Sequence, residues 1–290
     1  MNVTTGTSTG DMVLNSRGAV VLGNLTSSAG TFTADASGLM SVASVKGAVL
    51  DISGGTGLNA ISLTSTTGKI DVDTSSGFLK ITSATAKTDL TAQAVSGALN
   101  VSTITAGTAS LKSGADMTLT TVTATGFLST NSKAAASLGN LTAGGQLTAD
   151  ATGAMTVTSA KGTVLDMSAG TGLTAGTLTS TTGKIDVDTT AGLLKITTAT
   201  AKTLLDAQAV AGDLTVGTFT SATAVLKSGA DMTVSTGTTT GALTLNSQGA
   251  ASLGTLTAKP RKNLSHSTLC RDSEKGVCLS TVRSVEPASK

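Results

Sequence analysis

Residues Ser65–Thr74 read STTGKIDVDT, and the same ten letters return at Ser180–Thr189. In an extended strand, residues i, i+2 and i+4 share a face. Ile70 and Val72 therefore point one way, and Lys69, Asp71 and Asp73 the other. The same holds for Ile185 and Val187 against Lys184, Asp186 and Asp188. Two readings of the charged trio compete. Paired carboxylates serve acid/base glycoside chemistry when they lie about 5–10 Å apart in different environments, and they contribute to Ca²⁺ sites that need six to eight oxygens. Alternatively, the trio is the solvated face of a strand, where charge discourages edge-to-edge aggregation. Nothing around Asp71 or Asp73 desolvates one of them, and Lys69 opposes a cation. The trio is read as a solvated face, and no catalytic, cofactor-binding or metal-ligating residue is assigned.

The decamer belongs to a longer repeat. At an offset of 115, residues 33–132 and 148–247 are identical at 68 of 100 positions. KSGADMT at 112–118 returns at 227–233, and NSQGAASLGTLTA at 246–258 echoes NSKAAASLGNLTA at 131–143. Inside the block runs a shorter beat of Gly-x-apolar-x-apolar: GLMSV (38–42), GKIDV (68–72), GALNV (97–101), GDLTV (212–216). Period-two alternation between glycines predicts strands and turns. Thr, Val and Gly are poor helix formers, and no 3.6-residue stripe is present.

Strands of four to five residues are expected, beginning nine to eleven residues apart. A β-sandwich of ~100 residues would also fit a 115-residue period, but the beat crosses the block joint without pause. The spacing predicts a parallel β-helix, a β-solenoid of about 19 residues per turn and six turns per block. At ~4.8 Å per turn, residues 1–258 are expected to make about 13 turns and roughly 60 Å of stack. The solenoid is assigned to 1–258, with 115-residue repeats at about 33–147 and 148–258 preceded by a partial copy.

Composition narrows the function classes. The chain has no Trp or Tyr and four Phe, so its core must be aliphatic. Residues 1–258 contain no His, Cys, Glu, Tyr or Trp, which removes most general bases, soft metal ligands and stacking platforms. DISGGTGLNA (51–60) lacks the Lys-Ser/Thr ending of a phosphate loop and reads as a corner. Thr-x-Thr pairs such as TFT (31–33) and TLT (118–120) are of the kind found on ice-binding solenoids. Along the sequence they form no regular ladder, and no ice-binding face is assigned from them. No enzyme activity and no cofactor are expected.

Charge divides the chain. Residues 1–258 hold 12 Lys/Arg and 14 Asp, a net of −2, and residues 259–290 hold 7 Lys/Arg against 3 acids, a net of +4. The tail also holds both Pro, both Cys (Cys270, Cys278) and His266. It is expected to be basic and disordered, with a local disulfide or two free thiols rather than a zinc site. Its KPRKNLSH start (259–266) is weak evidence for nucleic acid, and no specific nucleic acid partner is assigned. No run of ~20 apolar residues predicts a transmembrane helix. The opening MNVTTGTSTGDMVLNSRG has no basic start and no apolar stretch, so it does not read as a secretory signal, and the expectation is either a protein that stays inside or a piece of something longer.

LGNLTAGGQLTADATGAMTV (138–157) and DLTAQAVSGALNVSTITAG (89–107) resemble the repeat region of filamentous haemagglutinin-like adhesins, large exoproteins of the two-partner secretion type. The resemblance covers most of residues 10–258. It implies a right-handed parallel β-helix, export of the parent protein through an outer-membrane transporter, a bacterial surface or extracellular location, and adhesion to glycans or to host or bacterial surface proteins. The family's N-terminal secretion domain with its Asn-Pro-x-Gly-type motifs has no counterpart here, so against the family a fragment or truncated gene is expected, and no family active-site residues carry over. A non-catalytic spacer or gene remnant is the alternative expectation. A β-helix carbohydrate-active enzyme would need a non-repeated acidic cleft, which the repetition argues against.

Overall fold

A computed structural model describes residues 1–259. The chain divides into two units, Met1–Ala154 and the part from Met155 onward. Both are all-β solenoids in which long strands of 7–9 residues alternate with short strands of 5–6. Within each unit the long strands form one parallel sheet and the short strands another. The first unit carries eight long strands, Asn2–Ser8 to Ala136–Ala143, and eight short ones, Met12–Ser16 to Leu147–Ala151. The second carries six long strands, Ala154–Gly162 to Ala251–Ala258, and five short ones, Leu165–Ala169 to Leu243–Ser247. The β-solenoid expected from the beat is thus the observed fold.

Register shows the turn length directly. Phe32 pairs with Leu50, then Ile70, Leu90, Ala109, Leu128 and Leu147, so six turns of 18–20 residues span one 115-residue block. The mean is the predicted 19, but individual turns vary. The variation sits at the corners, where the backbone still bonds turn to turn: Gly126 N donates to Gly107 O (2.7 Å) and Gly145 N to Gly126 O (2.9 Å).

The alternation places the core as expected. Ile70 and Val72 are fully buried, as are Ile185 and Val187. Each inward residue stacks on its counterpart one turn away, as Leu79 does on Leu58 and Leu99. Burying a Leu, Ile or Val side chain contributes roughly 1.5–3 kcal/mol, so the stack of aliphatic columns replaces the missing aromatics.

The long strands differ from the expected four to five residues. In Leu99–Ala106 the burial runs inward, outward, inward, then twice outward at Ser102 and Thr103, then inward again at Ile104. Two successive outward side chains require the strand to bend. Each long strand is therefore two short arms joined by a bend that keeps the sheet ladder. Each turn thus has three inward-facing segments.

Buried serines hold the corners. Ser113 Oγ donates to Gly97 O (3.0 Å) and lies 2.8 Å from Asp116 O. Ser228 repeats the arrangement with Gly212 O (3.0 Å) and Asp231 O (2.7 Å). One hydroxyl thus serves its own turn and the preceding one. The same short-to-long corner in other turns holds Gly77 and Gly192, whose φ values of 76° and 75° favour glycine.

Candidate functional site: the outward columns of the sheets

In-register stacking turns each outward position into a straight column of side chains, one per turn. On the short-strand sheet the charged trio lies outward, as the sequence indicates. Lys69 Nζ is 3.3 Å from Asp71 Oδ2, and Lys184 Nζ is 2.6 Å from Asp186 Oδ2. Asp73 and Asp188 each accept a 2.8 Å hydrogen bond from a serine on the preceding short strand, Ser53 and Ser168 respectively.

The columns add carboxylates that sequence reasoning missed. Asp71 pairs with Asp51 in the first unit. In the second, Asp166, Asp186 and Asp206 form three consecutive members of one column. Burial, followed by the neighbouring Asp71 and Asp35 charges, pushes the Asp51 carboxyl above its ordinary value. Burial and then Asp186 do the same to Asp166 and Asp206. The hydrogen bond and charge of Asp186 hold Lys184 above the usual lysine value. The signal was a 20-residue offset between segments with different flanking letters.

This ladder has the chemistry of repelling like charges partly relieved by lysine. Among the described residues, no group of three or more His, Cys, Asp or Glu is placed to hold a metal ion. The surface hollows are shallow: one beside Gln208, Lys227 and Asn246, another beside Asn15, Arg17 and Asp35. Neither joins two carboxylates in an enclosed space. The DISGGTG segment forms strand and corner, with Asp51 outward and Ile52 buried. Cys270, Cys278 and His266 lie outside the described residues.

The arm after the bend of each long strand carries a second kind of column. In the second unit Thr177, Thr198, Thr218, Thr236 and Thr255 are in register, and so are Thr179, Thr200, Thr220, Thr238 and Thr257. All ten are exposed or half-buried, while Leu178, Ala199, Phe219, Gly237 and Leu256 between them are buried. The Thr-x-Thr pairs therefore do form a regular ladder, which corrects the sequence reading. The two pairs singled out there lie elsewhere: Thr31 and Thr33 on a short strand, Thr118 and Thr120 on the arm before the bend of a long one. Successive turns of 21, 20, 18 and 19 residues separate the ladder members, so no fixed period aligns them.

In the first unit the matching columns are mixed. One reads Thr5, Asn24, Ser44, Ser62, Ser83, Thr103, Thr121, Asn140, and the other is threonine except at Lys46.

Comparison of the chain with protein-family models, with curated proteins and with solved structures gives no match in any of the three.

Proposed function

We propose that this chain is a non-catalytic, adhesive β-solenoid segment of a bacterial surface or secreted exoprotein. It presents its outward columns to glycans or to host or bacterial surface proteins. The observation that carries this reading is the straight, in-register stacking of outward polar side chains at about 4.8 Å per turn. A surface of this kind gains avidity by making many weak contacts at once rather than one deep one. The resemblance of residues 138–157 and 89–107 to adhesin repeat regions supports the same class. The mixed acidic and lysine columns, with no enclosed carboxylate pair among the described residues, favour binding over glycoside hydrolysis.

The test is binding of the full chain to arrayed glycans, matrix proteins and bacterial cell-envelope fractions at low and high salt. Salt-resistant binding to one ligand class supports the adhesive reading. Binding that vanishes at high salt is non-specific attraction to the basic residues 259–290 and counts against it. Silence from the folded protein assigns the segment to spacing.

A further inference from the structure

We propose that the double threonine column of the second unit is an ice-binding face. Its ligand is the ordered water lattice of crystalline ice. The inference is independent of the adhesive reading.

Four observations converge on it. The array is two-dimensional, with five successive Thr-x-Thr rows in register from Thr177/Thr179 to Thr255/Thr257. Rows repeat at about 4.8 Å across the sheet, and the two columns lie about 6.6 Å apart along the strand. Both distances are close to oxygen repeats on the faces of hexagonal ice. A parallel sheet fixes these spacings, and β-branched threonine has a restricted χ1. The hydroxyls are thus set in place before any ligand arrives, which removes much of the entropy cost of binding.

None of the ten hydroxyls hydrogen-bonds to another described residue of the chain, so each is free to bond to water. The methyl groups between them are equally regular, and a threonine surface can order water around methyls while anchoring it at hydroxyls. No charged residue enters these five rows, and the one lysine of the column, Lys161, stands one turn before them on Ala154–Gly162, as Lys46 does in the first unit. Charge holds a strong hydration shell of its own geometry, and its absence suits a neutral lattice.

The fourth observation is the internal comparison. The ten positions correspond, at an offset of 115, to Ser62, Thr64, Ser83, Thr85, Thr103, Thr105, Thr121, Thr123, Asn140 and Thr142. Only three differ between the copies, and all three change to threonine: Ser62 to Thr177, Ser83 to Thr198 and Asn140 to Thr255. A sugar ligand would favour an exposed aromatic for stacking, but the only aromatic among the described residues of the second unit, Phe219, is buried.

The experiment is partition of the full chain into slowly growing ice, with thermal hysteresis read on the same sample. The parent chain is compared with Thr200→Lys/Thr220→Lys and with Thr85→Lys/Thr105→Lys at the matching positions of the first unit. Lysine is compatible with this outward column, as Lys46 shows, and circular dichroism and the melting midpoint check that each variant folds. A milder pair, Thr200→Ser/Thr220→Ser, removes only the methyls. The proposal expects the parent to enter ice and show hysteresis. It expects the second-unit lysine variant to lose both severalfold, the serine variant to lose part, and the first-unit variant to keep them. Exclusion of the folded parent from ice overturns it. Equal partition of parent and second-unit lysine variant overturns it too. So does retention of the parent on cellulose or chitin above freezing, lost in the second-unit variant without any ice activity, which would assign the face to a crystalline polysaccharide.

Discussion

Phe219 fills the space that a side chain at Gly237 would occupy. The two are paired in register, and a Cβ on Gly237 would lie 2.2 Å from Phe219 Cε1. The corresponding residues in the first unit are Ile104 and Val122, also in register. One copy stacks two medium side chains and the other a large one on none. The expected result is strong coupling. Gly237→Val overpacks the core and costs about 1–3 kcal/mol, and Phe219→Ile leaves a void with a cost of its own. The double variant recovers most of both. A double-mutant cycle by urea unfolding checks this, and simple additivity of the two costs would refute the pairing.

Face assignment on the short strands predicts opposite outcomes for neighbours. Val72 is fully buried, and Val72→Asp places a carboxylate in the aliphatic stack at a cost of several kcal/mol. Asp71 carries a partly exposed ion pair with Lys69, so Asp71→Ala changes stability by no more than about 0.5 kcal/mol. Chemical denaturation of the two variants measures the contrast, and unfolding by Asp71→Ala would invert the faces.

Buried hydroxyls divide by whether they have a partner. Ser228 Oγ serves two corner carbonyls, and Ser228→Ala leaves both short of a donor, at about 1–3 kcal/mol. Thr189 Oγ1 and Thr74 Oγ1 are buried without a partner. Thr189→Val keeps the shape, removes the orphan, and is expected to be neutral or stabilising. A melting-point drop for Thr189→Val comparable to that of Ser228→Ala would contradict the geometry.

The aspartate column gives the second unit a pH dependence of known sign. Asp166 and Asp206 have folded-state values raised above the ordinary 3.8, so the folded chain binds these protons more tightly than the unfolded one. Their ionised forms therefore weaken the fold above the raised values. That penalty fades as pH falls through them and is gone below 3.8. Asp206→Thr, which installs the residue found at Thr91 in the first copy, is expected to stabilise by about 0.2–1 kcal/mol at neutral pH. The gain should shrink on acidification. A gain that grows toward acid pH would exclude like-charge repulsion as its origin.

The strands were legible because each turn buries its alternate residues whatever its length. Ile70 and Val72 announce an interior, and Asp71 and Asp73 an exterior, without knowledge of any neighbour. The bend at Ser102 and Thr103 was hidden, since two polar letters in a row look like a loop. The aspartate and threonine columns were hidden for a different reason. A column is a relation between turns, and its members are found only once the corner lengths are known. The partnership of Phe219 with Gly237 is equally non-local, since neither residue signals the other along the chain.

The corners absorb every change in turn length, and this separates two kinds of mutation. A residue gained or lost at a corner leaves both flanking arms facing as before. A residue gained or lost within an arm turns the rest of that arm inside out. Insertions and deletions should accumulate only at corners, and exchange between blocks should proceed in whole sets of six turns. The gene can thus grow, shrink and drift in spelling while the pattern displayed to the outside stays in alignment.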